Sequence, residues 1–425
     1  MQVTKEQLDP CKIQLTIEVD ADQAMKAVDE VYREFSQSKA IPGFRKGKAP
    51  RAILERVVLP EAVKERAIEI MISPAYFDAI EQEKIEPYAD PHVEIVKYES
   101  GEPFSFKAEI PLPPQVKLGE YKGIKVEKRK VDITDEDVDA QLKYLQESRA
   151  TTEKVEGRGL QTTDVAIADI SSAPVGEEMP AARRSFLQMG GNMPGFDENI
   201  IGMNPGERKV FELTYPEDFA DKDVAGKKFS FDVAIETIRE RKMPEIDGEF
   251  AKTVGDFETV DALKEDIRKH LLQSAEEAAE REVEHKIVDE IVFRSEIFFP
   301  DVMVNHEVHH DLEDLHARLE RQGMTIEQYL KRIDKSQEDF IKEMREEAAK
   351  GIKNGLALGD VIEAEKLEVT DEDVDAEIAG IAEKSGADAA SVEEYLKKQG
   401  GRPSLRSSML NKKVFDFLKS VSEIS

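Results

Sequence analysis

Tryptophan is absent from the 425 residues, and cysteine occurs once, as Cys11. A lone thiol forms no internal disulfide, and two-cysteine redox centres and four-thiolate zinc sites are excluded with it. A reducing cytoplasmic setting fits. No apolar run approaches the ~18 residues of a membrane span, so a soluble chain without membrane contact is expected. The opening MQVTKEQLDP carries no apolar signal core. No Walker-type glycine loop is present, which argues against nucleotide-driven cycling. Positive charge is also scarce: 60 Lys and Arg stand against 90 Asp and Glu, a net charge of -30. Such a surface repels nucleic acid over most of its extent, so any contact with RNA must be local.

One stretch departs from this balance. Between Arg33 and Arg56, the basic Arg33, Lys39, Arg45, Lys46, Lys48, Arg51 and Arg56 face only Glu34 and Glu55; seven minus two gives +5. A solvated basic face is the ordinary explanation of a charge run, and attraction to an acidic or phosphate-rich partner is the other.

A chain this long divides into two to four domains. Ile13, Leu15, Ile17 and Val19 alternate with polar residues and predict a half-buried strand. A helix follows, capped by Asp20 or Asp22, with Met25, Val28, Tyr32 and Phe35 as its apolar face. Pro42, Gly43, Gly47 and Pro50 make residues 40–50 a loop, with Pro50 opening the next helix. Helices continue to about Glu83, and strands near 93–98 and 104–110 close an α+β unit before Pro111, Pro113 and Pro114. Residues 124–130 read as an extended linker strand, and Thr134 opens a helix reaching about Arg149. Alternation at Phe229, Phe231, Val233 and Ile235, with many turns from Gly190 to Gly206, marks a small β-rich segment within 161–240. Beyond Pro244 the chain reads as almost wholly helical, with Phe340, Met344, Ala348 and Ile352 as one stripe behind a Ser336–Asp339 capping pair. The octet from Ile133 to Ala140 recurs nearly unchanged from Val369 to Ala376. Convergent capping explains the echo, and so does one domain interrupted by the β-rich insert.

The sharpest motif is Gly43-Phe-Arg-Lys-Gly-Lys-Ala-Pro50. Its glycines permit a tight turn, and Arg45, Lys46 and Lys48 offer donors and charge to an acidic or phosphate-bearing surface. Phe44 either projects as an apolar anchor or tucks inward to hold the loop. Lying between two helices of an N-terminal domain, this motif resembles the ribosome-binding signature of the trigger factor family. A second stretch, Met193-Pro-Gly-Phe196 with Ile201-Gly-Met203 and Gly206-Glu207, is similar to the turn and hairpin of FKBP-type prolyl isomerases.

The resemblance covers essentially the whole chain and implies an α+β, multidomain fold. Residues 1–112 would form a ribosome-docking domain and 113–154 a linker strand with the first helix of the chaperone domain. An FKBP-like domain at 155–243 would be inserted into this mainly helical domain, which resumes as 244–425 with arms, and the family pattern favours that discontinuous arrangement. Gly43, Phe44, Arg45, Lys46, Gly47, Lys48 and Pro50 would dock at the ribosomal tunnel exit, on protein and on rRNA. Nascent and unfolded polypeptides would be the clients, with Met303, Met324 and Tyr329 among the contacts. Residues 301–333, broken at Gly323-Met324, would form one helical hairpin arm. Whether free molecules form a homodimer off the ribosome is left open. Met193, Phe196, Phe219 and Phe231 would line an apolar cup that desolvates and twists an X-Pro amide without nucleophile, metal or cofactor. Two departures argue for weak or lost isomerase activity: Ile170 and Met179 stand where the family pattern has aromatics, and Pro180 replaces an acid. The alternative function is a prolyl isomerase acting mainly on free folding intermediates.

His306-Glu-Val-His-His310, with His316 beyond, fits a zinc-peptidase pattern. Where the metzincin form needs glycine, however, Glu313 stands. If the helix continues, ten residues at about 100° each place His316 about 80° round from His306, and no three-histidine metal site forms.

Overall fold

The computed structural model describes residues 1–38, 44–45, 47–99, 102–217, 219, 224–398 and 400–425. Along the chain come β1 (Gln2–Asp9), β2 (Lys12–Val19), α1 (Ala21–Ser38), α2 (Arg51–Val57), α3 (Pro60–Glu83), β3 (His92–Lys97), β4 (Phe104–Pro111), β5 (Gln115–Lys117) and β6 (Lys125–Val126). Next are α4 (Asp135–Ser148), β7 (Thr151–Val155), β8 (Asp164–Pro174), β9 (Arg183–Gln188), α5 (Phe196–Ile200), β10 (Arg208–Thr214), β11 (Lys228–Lys242), α6 (Gly248–Val254) and α7 (Val260–Arg294). The remainder is β12 (Glu296–Phe298), α8 (Asp301–Arg321), α9 (Ile326–Arg332), α10 (Gln337–Ala364), α11 (Asp371–Ser385), α12 (Ala389–Lys397), α13 (Gly401–Ser420) and β13 (Glu423–Ile424). This is the α+β, multidomain composition expected. The fold separates into two compact units, one of Met1–Val126, Glu284–Gly323 and Gln337–Ser425, the other of Glu127–Val283 and Met324–Ser336.

In the first unit an antiparallel sheet runs in the order β1-β2-β4-β3. Its register sets Ile13 opposite Ile110, Leu15 opposite Ala108 and Ile17 opposite Phe106, and all six side chains are buried. Fully burying an Ile, Leu or Phe contributes about 1.5–3 kcal/mol, so the alternation alone supplies much of this core. Helices α1 and α3 complete it with Val31, Ala67 and Ala79. Here the expected face of α1 is corrected. Ala24, Ala27 and Val31 are its buried apolar stripe, Val28, Tyr32 and Phe35 flank the core, and Met25 is exposed. Asp20 stands at the helix start, its carbonyl accepting from Gln23 and Ala24, while its carboxylate accepts from the N-terminal ammonium at 2.7 Å. The expected 124–130 linker strand shrinks to Lys125–Val126, which pairs in parallel with Glu423–Ile424.

Later in this unit, α8 packs along α10 through Val304, Val308 and Ala348, with Met344 and Ile352 alongside. The partner of α8 is therefore α10, and the segment after Gly323 is not the second leg of the expected hairpin. Helices α11, α12 and α13 share a small core of Val374, Ile378, Ala382 and Val392, and Lys413 pairs with Asp373 at 2.8 Å.

The second unit holds an antiparallel sheet ordered β10-β11-β8-β9, with β7 pairing the far end of β11. Entry and exit of this β-rich segment are adjacent: Thr151 pairs with Lys242, and Gln146 donates to the Pro244 carbonyl at 2.8 Å. Outside the sheet, α4 packs on α6 and α7 through Val138, Leu142, Phe250, Leu263 and Ile267. Thr134 and Thr370 both close full capping boxes, with Asp137 and Asp373. The echoed sequence thus repeats one local device in two places, α4 in the second unit and α11 in the first.

Candidate functional site

The basic loop joins α1 to α2. Gly47 adopts φ +77°, a left-handed conformation suited to glycine, and its N–H donates to the Ser36 carbonyl at 2.8 Å, while Lys48 N–H donates to Arg45 at 2.9 Å. The turn is thereby tied to the end of α1. Phe44 is 41% exposed, projecting rather than tucked inward. Arg45 and Lys48 are exposed and have no ion-pair partner among the described residues. Pro50 caps α2 with φ -62° and ψ 149°. Gly43 and Lys46 lie outside the described residues. Arg51, part of the +5 tally, is committed elsewhere. It donates to Glu55 at 2.8 Å, pairs with Asp29 and lies 5.2 Å over the Tyr32 ring. Glu55 first, then Asp29, holds its guanidinium pKa above the ordinary value.

The four residues expected to form an apolar cup have unequal positions. Phe196 and Phe231 are buried at 6% exposure each, their rings 5.5 Å apart. Met193 packs at the edge of the same core. Phe219 is 38% exposed and reaches the others through Tyr215, 4.8 Å from Phe219 and 6.1 Å from Phe231. Phe211 and Tyr215 complete the array and escaped the sequence reading. Phe211 faces Phe231 directly in the β10–β11 register and stacks on it at 5.8 Å. The signal was present: Phe211, Leu213 and Tyr215 alternate directly after the Gly206-Glu207 turn. At the N-terminus of α5, Gly195 takes φ +84°, and a Cβ there would meet Leu213 at 3.1 Å, which lets Phe196 turn into the core.

Ile170 and Met179, read as two walls of one cup, lie on opposite faces of the sheet. Ile170 pairs with Val233 and packs in the core that holds Phe231. Ser171 pairs with Asp232, and Met179 approaches Ser171 Oγ at 3.7 Å. Met179 lines a polar cavity of about 350 Å³ with Asp169, Arg208 and Asp232. Strand pleating separates adjacent side chains to opposite faces, so the two positions cannot share a wall.

A buried ion pair stands at the start of β8, opposite Glu240 in the sheet register. Asp164 is fully buried and accepts from Arg158 at 2.5 and 2.9 Å and from Gln161 N–H at 2.8 Å. The same loop is tied to the end of α5: Leu160 N–H donates to Met203 at 2.9 Å, and Gly202 N–H to Leu160 at 2.8 Å.

His306, His310 and His316 all belong to one unbroken helix, α8, which runs through Glu313. His309 and His310 lie beside Glu313 and Asp314, at 3.3 and 3.9 Å. Among the described residues no group of three or more His, Cys, Asp or Glu is arranged to hold a metal. Met303, Met324 and Tyr329 are half-buried. Among the described residues no helix is long and apolar enough to cross a membrane.

Comparison with known proteins adds the final observations. The family model described as "Bacterial trigger factor protein (TF)" matches residues 1–145, and that described as "Bacterial trigger factor protein (TF) C-terminus" matches residues 259–420. The trigger factor of Halothermothrix orenii is 36% identical over 98% of this chain and 98% of its own. That of Moorella thermoacetica is 36% identical over 98% of this chain and 94% of its own. A solved trigger factor chaperone is 23% identical, covers 98% of this chain and 99% of its own, and superposes with a TM-score of 0.46.

Proposed function

The chain belongs to the trigger factor family, and from that premise we propose how its residues divide the work. It is a ribosome-associated chaperone whose partners are the ribosome and unfolded polypeptides. Docking runs through the loop from Gly43 to Pro50, with Phe44 as apolar anchor and Arg45, Lys46 and Lys48 as cations. The observation that carries this reading is the half-exposed Phe44 beside Arg45 and Lys48, which have no ion-pair partner among the described residues, in a chain of net charge -30. An exposed aromatic flanked by free cations suits a ribosomal surface, where an apolar contact adds to attraction that salt weakens. The docking partners are taken to be protein and rRNA at the tunnel exit, in the cytoplasm.

Residues 1–112 act as the docking domain and 155–243 as an inserted FKBP-like domain, with 113–154 and 244–425 supplying the chaperone scaffold. The adjacent ends of the insert, at Thr151 and Lys242, support that division. Within the insert, Phe196 and Phe231 serve chiefly as core. Met193, Tyr215 and Phe219 remain at the surface as the apolar contact for clients, and turnover on prolyl peptides is weak or absent. A homodimer off the ribosome is a separate question for sedimentation.

Replacing Phe44, Arg45 and Lys46 together by Ala tests the docking reading. The triple variant should keep the native circular dichroism spectrum and lose co-sedimentation with ribosomes. Sedimentation like that of the unaltered chain would defeat the assignment.

A further inference from the structure

We infer that α8 carries a metal-binding site on its outer face, where the imidazoles of His306 and His310 chelate one divalent late transition ion such as Ni²⁺, Cu²⁺ or Zn²⁺. The site is independent of the docking loop and of the aromatic array. The zinc-peptidase pattern fails in this stretch for want of a third ligand, but the pair at its centre survives that failure. Helix α8 buries Val304, Val308, Leu315 and Leu319. At about 100° per residue, His306 and His310 are centred about 170° from the mean direction of that stripe. Both are exposed. Residues four apart on one helical face hold their Cβ atoms about 5–6 Å from each other, the same spacing by which a helical zinc motif places two of its ligands on one ion.

The neighbours of the pair bear on what it can hold. The Asp314 carboxylate lies 3.9 Å from His310 Nδ1. A carboxylate there favours the tautomer with its proton on Nδ1 and leaves Nε2 as the donor to a metal. His309 is turned instead to Glu313, with its Nε2 at 3.3 Å, and His316 lies about 80° round from His306, so neither belongs to the chelate. Helix α10 brings Arg345 to this end of α8, where Asn305 engages it; the exposed Glu307, Glu313 and Asp314 offset its charge. Two imidazoles leave the remaining coordination positions to water. Such a donor set prefers ions that accept nitrogen, with affinity rising from Co²⁺ through Ni²⁺ to Cu²⁺, and it passes over Mg²⁺ and Ca²⁺, which want oxygen. An ion held this way clasps successive turns of α8 and stiffens the helix.

Titration calorimetry of the full chain with Ni²⁺ at about pH 7.5 should give one ion per chain, and binding should fall away below about pH 6.5 as the imidazoles protonate. His306→Ala and His310→Ala should each raise the dissociation constant about a hundredfold, and Asp314→Asn about tenfold. His316→Ala should leave it unchanged. With Cu²⁺ as the probe, electron paramagnetic resonance should show two nitrogen ligands. At a hundredfold excess of Ni²⁺ over the dissociation constant, the unfolding midpoint of the first unit should rise by about 5 °C, and the rise should vanish in His306→Ala. All the substituted side chains are exposed, so circular dichroism should report a native fold in each variant. Binding that survives both alanine variants, or falls as far in His316→Ala, overturns the site. Affinity lost in His309→Ala and Glu313→Gln but kept in His310→Ala gives the ion to the adjacent pair and overturns the assignment. Several weak ions per chain with no change in midpoint mark adventitious surface binding only, which overturns it as well.

Discussion

Asp164→Asn tests the buried ion pair at the start of β8. The substitution keeps the volume of a fully buried side chain and removes the charge that Arg158 and the Gln161 amide address. Breaking a buried pair by removing one partner costs about 3–5 kcal/mol. Here the guanidinium side is 27% exposed and regains water once freed, and the asparagine oxygen still accepts one bond, so the low end, about 3 kcal/mol, is expected. For a unit of this size that lowers the unfolding midpoint by about 10 °C. The unaltered pair also carries a pH signature. Arg158 holds the Asp164 carboxyl below the usual carboxylate range, with burial opposing it. A depressed folded value means the stability is fully present above the unfolded pKa of about 3.9 and is lost as pH falls through the folded one. Asp164→Asn should therefore flatten the acid limb as well as lower the plateau. Scanning calorimetry from pH 3 to 7 reads both, with the first unit's transition as internal reference. A midpoint shift below about 2 °C, or an unchanged acid limb, would refute the reasoning.

Four further outcomes follow. Gly159→Ala should cost about 2–3 kcal/mol in urea unfolding, because its Cβ would lie 2.3 Å from the Gly202 carbonyl oxygen and backbone cannot yield as a flexible side chain does. Thr134→Ala and Thr370→Ala should each cost about 1 kcal/mol, the first lowering the transition of the second unit and the other that of the first; calorimetry that moved one transition with both variants would contradict the two-unit division. Ile170→Phe should destabilise by about 1–3 kcal/mol through crowding beside Phe231, and any gain in prolyl-peptide turnover should be confined to it. Met179→Phe alone raising turnover would show that the opposite-face placement is wrong. Excising residues 155–240 and bridging the gap with a short linker should leave a folded, aggregation-suppressing chain, checked by light scattering of a denatured client; precipitation of the excised protein would count against adjacent ends.

What was legible in the sequence were the elements fixed by local periodicity and chemistry. The alternation from Ile13 to Val19, the helix start at Pro50 and the threonine boxes at Thr134 and Thr370 depend on neighbours a few residues away. The failures have a common cause in partners distant along the chain. Met25 fits a helical stripe by spacing, yet the sheet below α1 is close enough that Ala24, Ala27 and Val31 take the buried positions and the methionine stays outside. Ile170 and Met179 both align with aromatic positions of the family pattern, but only the β8–β11 register reveals that they face opposite ways. In the loop proposed to dock, motif and charge pointed to Phe44 and Arg45. They did not reveal that Arg51 is occupied by Asp29 and Glu55, or that Ser36 lies buried at the loop's base.

The pairing of Lys125–Val126 with Glu423–Ile424 bears on how this chaperone itself matures. As a ribosome delivers the chain, β1 to β4 and the helices packed on them are complete once residue 111 has emerged, and Glu127–Val283 supplies most of the second unit soon after. The first unit must still wait. Its β6 edge stays open until synthesis reaches Glu423, and closing so long an interval is slow compared with local pairing. For that period the nascent chain exposes an unfinished strand edge at Lys125–Val126.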